Sequence, residues 1–135
     1  MRDRIQYFLA LCLIKFTKFA PKNFIIKMFD KLAILISWKL ARRVAVAKEN
    51  LRIAYPQKSE SELSVLAIEN FRSIARMLAD TLLFYNGKLK FEDLISNGEQ
   101  ALSRVRELNK GNANGILFFT AHFGNWEILA NFFGA

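Results

Sequence analysis

From Ile5 to Ala20 the chain is mostly apolar. On a helix turning about 100° per residue, Ile5, Phe8, Leu9, Cys12, Phe16 and Phe19 share one face, with Arg4 and Lys15 on its flank and Lys18 nearly opposite. About 16 helical residues span only roughly 24 Å, less than the ~30 Å hydrocarbon core of a bilayer. The pattern therefore reads first as a basic interfacial helix, aromatic face down and lysines on lipid phosphates. A tilted or snorkelling span is the second membrane reading, and an ordinary amphipathic helix on a soluble core is the alternative to both. A signal peptide is disfavoured, because Lys15 and Lys18 rather than a small-residue cleavage site follow the apolar run Tyr7 to Ile14. Pro21 suits the first turn of a second helix through Phe24 to Leu40, with Asn23, Lys27 and Lys31 on one face, and this helix could also touch a bilayer. Arg42-Arg43 opens a third amphipathic segment, with Val44, Ala47, Leu51 and Ala54 along one side and Pro56 ending it.

Ser59-Glu60-Ser61-Glu62 has the form of a capping box, so a long helix should follow. Leu63, Leu66, Phe71, Ile74, Leu78 and Leu82 supply its apolar stripe, Arg76 and Asp80 are spaced for a surface ion pair, and Asn86-Gly87 breaks it. Leu89 to Ser96 alternates imperfectly and predicts a first strand, with Asn97-Gly98 as a turn and Glu99 to Leu108 as a short helix. After the loop Lys110 to Gly115, the run Ile116-Leu117-Phe118-Phe119-Thr120-Ala121 predicts a buried strand. The order strand, helix, strand, helix predicts an α/β fold: a helical amino-terminal region followed by the start of a parallel sheet, in which ligands collect beyond the carboxyl ends of strands. No internal repeat, glycine-rich phosphate loop or Gly-x-Ser-x-Gly elbow is present.

Composition narrows the chemistry. The chain's 135 residues are enough for one ordinary domain, and 53% apolar content with 13 phenylalanines suggests contact with lipid or an incomplete core. The net charge of +8 is uneven. Residues 1 to 56 carry 12 Lys and Arg against 3 Asp and Glu, whereas 57 to 135 carry 8 against 9. All of the excess is amino-terminal. Cys12 is the only cysteine and His122 the only histidine, which excludes an internal disulfide and makes a protein-only zinc site a poor reading.

The string His122-Phe123-Gly124-Asn125-Trp126-Glu127 follows the second predicted strand directly. Asn125 can cap a helix beginning at Trp126, which puts Glu127 in the first turn, where the helix dipole favours a carboxylate. A neutral imidazole held by a carboxylate is a general base for a hydroxyl nucleophile, so His122 and Glu127 are the catalytic candidates. On spacing alone a strand-end histidine in an ordinary hydrogen-bonded turn, with Glu127 as a plain first-turn acid, is the better account of the pair. Gly124 permits a tight turn and close backbone approach, and the N–H groups of Gly124 and Asn125 are candidates for substrate binding at a developing oxyanion. Trp126 reads as packing. Arg4, Phe8, Lys15, Phe16, Lys18 and Phe19 are the candidate membrane contacts.

The complete hexapeptide, with the apolar run and Gly115 before it, resembles the active-site block of the bacterial lipid A biosynthesis acyltransferases, the late lauroyl- and myristoyl-type enzymes that add secondary acyl chains. Arg43, Asn50-Leu51, Tyr55-Pro56, the Ser/Glu-rich helix start and Asn97-Gly98-Glu99 fall in the order that family shows, so the resemblance runs from about Arg42 to the chain's end. It implies transfer of a fatty acyl group from acyl carrier protein, or a coenzyme A thioester, to a hydroxyl of a lipid A precursor, with His122 as base, Glu127 as its partner and no cofactor. It further implies membrane lipid, lipid A precursor and acyl carrier protein as partners, with no nucleic acid, at the cytoplasmic face of the bacterial inner membrane. Residues 1–40 would be a membrane-associating segment and 41–135 the amino-terminal part of a glycerolipid-acyltransferase-like α/β domain. Family members run to more than twice this length, so the chain is expected to be a truncated fragment, inactive alone. A glycerophospholipid acyltransferase and a non-catalytic membrane-binding module are the alternatives.

Overall fold

The computed structural model describes residues 2–111 and 114–134; Asn112 and Ala113 of the expected loop lie outside them. Among the described residues seven helices follow one another: α1 Arg2–Phe19, α2 Lys22–Lys39, α3 Ala41–Ala54, α4 Glu60–Tyr85, α5 Phe91–Leu94, α6 Gly98–Asn109 and α7 Trp126–Gly134. The long helix α4 is the spine, with α2 and α3 packed along it and α1 touching it near its carboxyl end. Its start is the expected capping box: the Glu62 N–H reaches Ser59 Oγ, and the Ser59 N–H donates to Glu62 Oε2 at 2.8 Å. Its end is a Schellman turn. Gly87 takes φ +70°, Lys88 N–H bonds to Leu83 O at 2.8 Å and Gly87 N–H to Phe84 O at 2.9 Å.

The core lies between α2 and α4, where Ile25, Phe29, Ala79, Leu83 and Leu89 are buried together. The expected stripe on α4 is displaced. Its fully buried residues are Leu63, Ala67, Ala79 and Leu83, whereas Ile74 and Leu78 are exposed. Two alanines thus share the buried face with two leucines, and Ala79 gives Phe29 of α2 room to pack closely. Ion pairs lock the same interface. Arg72 grips Asp30 of α2 with Nε to Oδ1 at 2.8 Å and Nη2 to Oδ2 at 2.6 Å, and Arg76 Nη2 adds a contact at 2.8 Å. The two guanidinium groups hold the Asp30 carboxyl below its usual range, against a smaller opposing effect of burial. Arg76 therefore pairs with Asp30 and not, as its spacing predicts, with Asp80. On the other side α3 is tied to the α4 start by Arg52 and Lys48, both on Glu60.

The sheet expectation fails for one segment and lacks support for the other. Leu89 to Ser96 contains the helical turn α5, because Asp93 Oδ2 accepts the Lys90 N–H at 2.8 Å and the Phe91 ring packs between Phe84 and Phe132. Ile116 to Ala121 forms no strand among the described residues and is mostly exposed rather than buried, with Phe119 90% exposed; only Phe118 finds an aromatic partner, stacking on Phe133 at 4.7 Å. The predicted helix at Glu99 to Leu108 is present as α6.

Thr17 anchors α1: fully buried, it donates to Ile14 O and accepts from Asn86 Nδ2 at 2.9 Å. The opposite side of α1 is open. Ile5, Phe8, Leu9, Cys12, Phe16 and Phe19 are all exposed, as are Arg4, Lys15 and Lys18, and Leu35, Ile36 and Trp38 extend an exposed apolar surface along α2. Among the described residues no helix is long and apolar enough to cross a membrane.

Candidate functional site

The site begins as a backbone device. Phe123 N–H bonds back to Ala121 O at 2.8 Å, closing a three-residue turn centred on His122. Among the described residues no non-glycine has a positive φ, so this is the relaxed inverse form of that turn. Gly124 follows at φ +60°, a conformation that favours glycine, and redirects the chain into α7. Asn125 then caps α7 as its sequence position predicts, its Oδ1 accepting the Ile128 N–H at 3.3 Å.

Asn125 also does something the sequence did not disclose. Its Nδ2 donates to Thr81 Oγ1 at 3.1 Å and to Met77 O at 3.3 Å, while Thr81 Oγ1 donates to the same Met77 carbonyl at 2.9 Å. One amide thus caps α7 and fastens the His122 turn to α4. Below it, buried Ile128 and Phe132 seat α7, with Phe132 against the Phe91 ring at 5.2 Å.

Between the turn and α4 lies an open cleft of about 500 Å³. Asn70, Ser73, Ile74, Arg76, Met77 and Asp80 form its α4 wall, and His122, Phe123, Gly124, Asn125 and Trp126 form the other. His122 is exposed, and its ring stands 4.7 Å from the Trp126 indole at 55°. Trp126 is half-buried beside the imidazole and also lines the cleft. Of the candidate substrate-binding residues, Gly124 and Asn125 both line the cleft.

Glu127 stands where the sequence places it, in the first turn of α7, and is exposed. No hydrogen bond or ion pair joins its carboxylate to His122; its backbone carbonyl accepts from Asn131 Nδ2 at 2.8 Å. The acid that shares the cleft with His122 is Asp80, which sequence spacing assigned to Arg76. Burial pushes the Asp80 carboxyl above its usual range, partly offset by the positive charge of Lys22. No three metal-ligating side chains converge among the described residues. The candidate membrane contacts Arg4, Phe8, Lys15, Phe16, Lys18 and Phe19 lie on α1, apart from the cleft.

In the comparison with protein families, the model described as bacterial lipid A biosynthesis acyltransferase matches residues 2–135. No curated protein and no solved structure matches the chain.

Proposed function

Because the chain belongs to the bacterial lipid A biosynthesis acyltransferase family, we propose that it moves a fatty acyl group from a thioester of acyl carrier protein, or of coenzyme A, to a hydroxyl of a lipid A precursor. The observation that carries this reading is the sole imidazole, held at the tip of a turn, exposed to a cleft and lying beside an indole rather than consumed by a structural hydrogen bond. His122 takes the proton of the acceptor hydroxyl as its oxygen attacks the thioester carbonyl. The tetrahedral intermediate collapses with rupture of the C–S bond, and the imidazolium returns its proton to the departing thiolate. No covalent acyl-enzyme is required. Glu127, in the first turn of α7, favours the imidazolium through its charge. The N–H groups of Gly124 and Asn125 are the donors for the oxyanion. Ile116 to Ala121, rich in β-branched and aromatic residues, is the proposed strand of the α/β domain.

The exposed aromatic face of α1 and the exposed apolar residues of α2 support placement on a membrane surface, with the amino-terminal lysines and arginines on anionic headgroups. Catalysis and membrane contact separate experimentally. Membranes containing the protein, given labelled acyl carrier protein, should acylate a lipid A precursor; acylation of lysophosphatidate alone would sink the proposed acceptor. His122→Ala should lower turnover about 10²–10⁴-fold with liposome binding kept. Full function in that variant would favour a non-catalytic membrane-binding module.

A further inference from the structure

We propose that Arg43 of α3 binds a phosphate of the lipid acceptor, in a groove that adjoins the His122 cleft. The inference rests on a lipid A precursor being the acceptor. The groove, about 410 Å³, lies between α3 and α4. Val46, Ala47, Leu51 and Phe71 give it apolar walls, while Arg43, Asn50 and Asn70 supply polar groups. Asn70 and Ile74 line both this groove and the His122 cleft, so the two hollows meet on α4.

Among the described residues the Arg43 guanidinium makes no hydrogen bond or ion pair, in contrast to the arginines around it. Arg52 of α3 is held by Glu49 and Glu60, and Arg72 and Arg76 of α4 are held by Asp30. The side-chain amides of Asn50 and Asn70 are exposed and equally unengaged. No carboxylate among the described residues lines the groove. One cation and two amides with no anion complement a charged group that has several acceptor oxygens. A planar guanidinium suits phosphate in particular, because it donates two parallel hydrogen bonds. The apolar walls ask for hydrocarbon on the same ligand, so a phosphorylated lipid fits the groove better than free phosphate does.

The fold sets Arg43 between lipid and base. A single residue, Leu40, joins α2 to α3, its N–H bonded to Ile36 O at 2.9 Å and its carbonyl accepting the Arg43 N–H at 2.8 Å. Arg43 is thereby tied to the end of the helix that exposes Leu35, Ile36 and Trp38, the apolar surface proposed to meet the bilayer. On the other side, Asn70 lies roughly 10 Å along α4 from Met77, to which Asn125 fastens the His122 turn. One acceptor molecule can then keep its acyl chains beside α2, its phosphate on Arg43 and its hydroxyl at His122. Neighbouring Arg42 is also exposed but does not line the groove, which makes it the control.

The test measures kcat and the KM values for acceptor and acyl donor in membranes containing the protein, with a phosphorylated and a dephosphorylated lipid A precursor. Arg43→Gln should raise KM for the phosphorylated acceptor about tenfold, the loss of one charged hydrogen-bonded contact, with kcat within about twofold and KM for the donor unchanged. Wild type and Arg43→Gln should behave alike on the dephosphorylated acceptor. Arg43→Lys, which keeps the charge but not the fork of donors, should restore part of the affinity. An unchanged KM for the phosphorylated acceptor would overturn the proposal. So would a rise of KM for the donor instead, which puts a phosphate of the donor on Arg43. An equal rise in Arg42→Gln, or on the dephosphorylated acceptor, would also overturn it, since Arg43 would then act only as general surface charge or as structure. Wild-type protein that acylates neither precursor removes the proposed acceptor itself, a result distinct from an active enzyme indifferent to Arg43.

Discussion

Asn125→Ala removes one side chain that serves two structures. Its Oδ1 caps α7 through the Ile128 N–H, and its Nδ2 holds Thr81 and Met77 of α4. Loss of an Asn cap typically costs about 1 kcal/mol. The two donations to α4, at 3.1 and 3.3 Å and shared by one half-buried amide, belong at the low end for neutral hydrogen bonds, about 0.5–1 kcal/mol together. Thr81 keeps its own bond to Met77 O at 2.9 Å, so no buried hydroxyl is stranded and no further desolvation penalty arises. The sum, about 1.5–2 kcal/mol, is roughly a 10–30-fold rise in the population of an undocked turn. Native-state hydrogen exchange reads this directly: the Ile128 and Leu129 amides should exchange faster by about that factor, while amides near Leu63 at the far end of α4 keep their rates. Asn125→Asp keeps an acceptor for the cap and loses only the donation to α4, so it should show the smaller part of the effect. Unchanged exchange at Ile128 in Asn125→Ala would refute the dual role.

Three further outcomes follow from the same geometry. Leu83 is fully buried among Ile25, Phe29, Ala79 and Leu89, so Leu83→Ala should destabilise the protein by about 2–5 kcal/mol, seen as a lower denaturation midpoint. Asp30 has a depressed folded-state pKa, so its contribution to stability is present above the usual carboxylate value of 3.8 and is lost as pH falls below that value through the folded one. Asp30→Asn should therefore be less stable at neutral pH and show a shallower loss of stability in acid, as pH-dependent unfolding curves would reveal. Lys15→Glu with Lys18→Glu should weaken sedimentation with anionic liposomes at low salt; unchanged binding would remove α1 as the contact surface.

Local chemistry was legible where its cause is local. The capping box at Ser59 and Glu62, the stop at Asn86-Gly87 and the Asn125 cap are each set by residues within about a turn of one another, and the exposed aromatic side of α1 by the periodicity of a single helix. Burial was only partly legible: Leu63 is buried as its place in the stripe predicts, but Ala67 and Ala79 share that face and alanine carries little weight in a search for an apolar stripe. Leu89 to Ser96 alternates weakly enough for a strand, yet Asp93 can cap the Lys90 N–H locally and Phe91 has rings on two sides, so tertiary packing decides for a helical turn. The pairing of Asp30 with Arg72 and Arg76 links residues more than forty positions apart and leaves no local trace. That same pairing made Asp80 hard to see. Spacing offered Arg76 as its partner, and only the three-dimensional contact shows that Arg76 is already taken.

Arg76 also connects the two halves of the proposed function. Its guanidinium holds Asp30 of α2, the helix whose exposed Leu35, Ile36 and Trp38 extend the proposed lipid-facing surface, while the residue itself lines the His122 cleft. Further along α4, Thr81 and Met77 hold the turn that presents His122. Both attachments are made to one uninterrupted helix, so α4 links the His122 turn to α2 without a flexible connection. Under the proposed function, with an acceptor whose acyl chains stay in the bilayer, that link would limit which hydroxyls reach the base. Acceptor choice would then depend on the α2–α4 contact as well as on the residues that line the cleft. Asp30→Asn tests this: a changed ratio of acylated positions, with His122 chemistry retained, is the expected result, and an unaltered ratio would confine selection to the cleft.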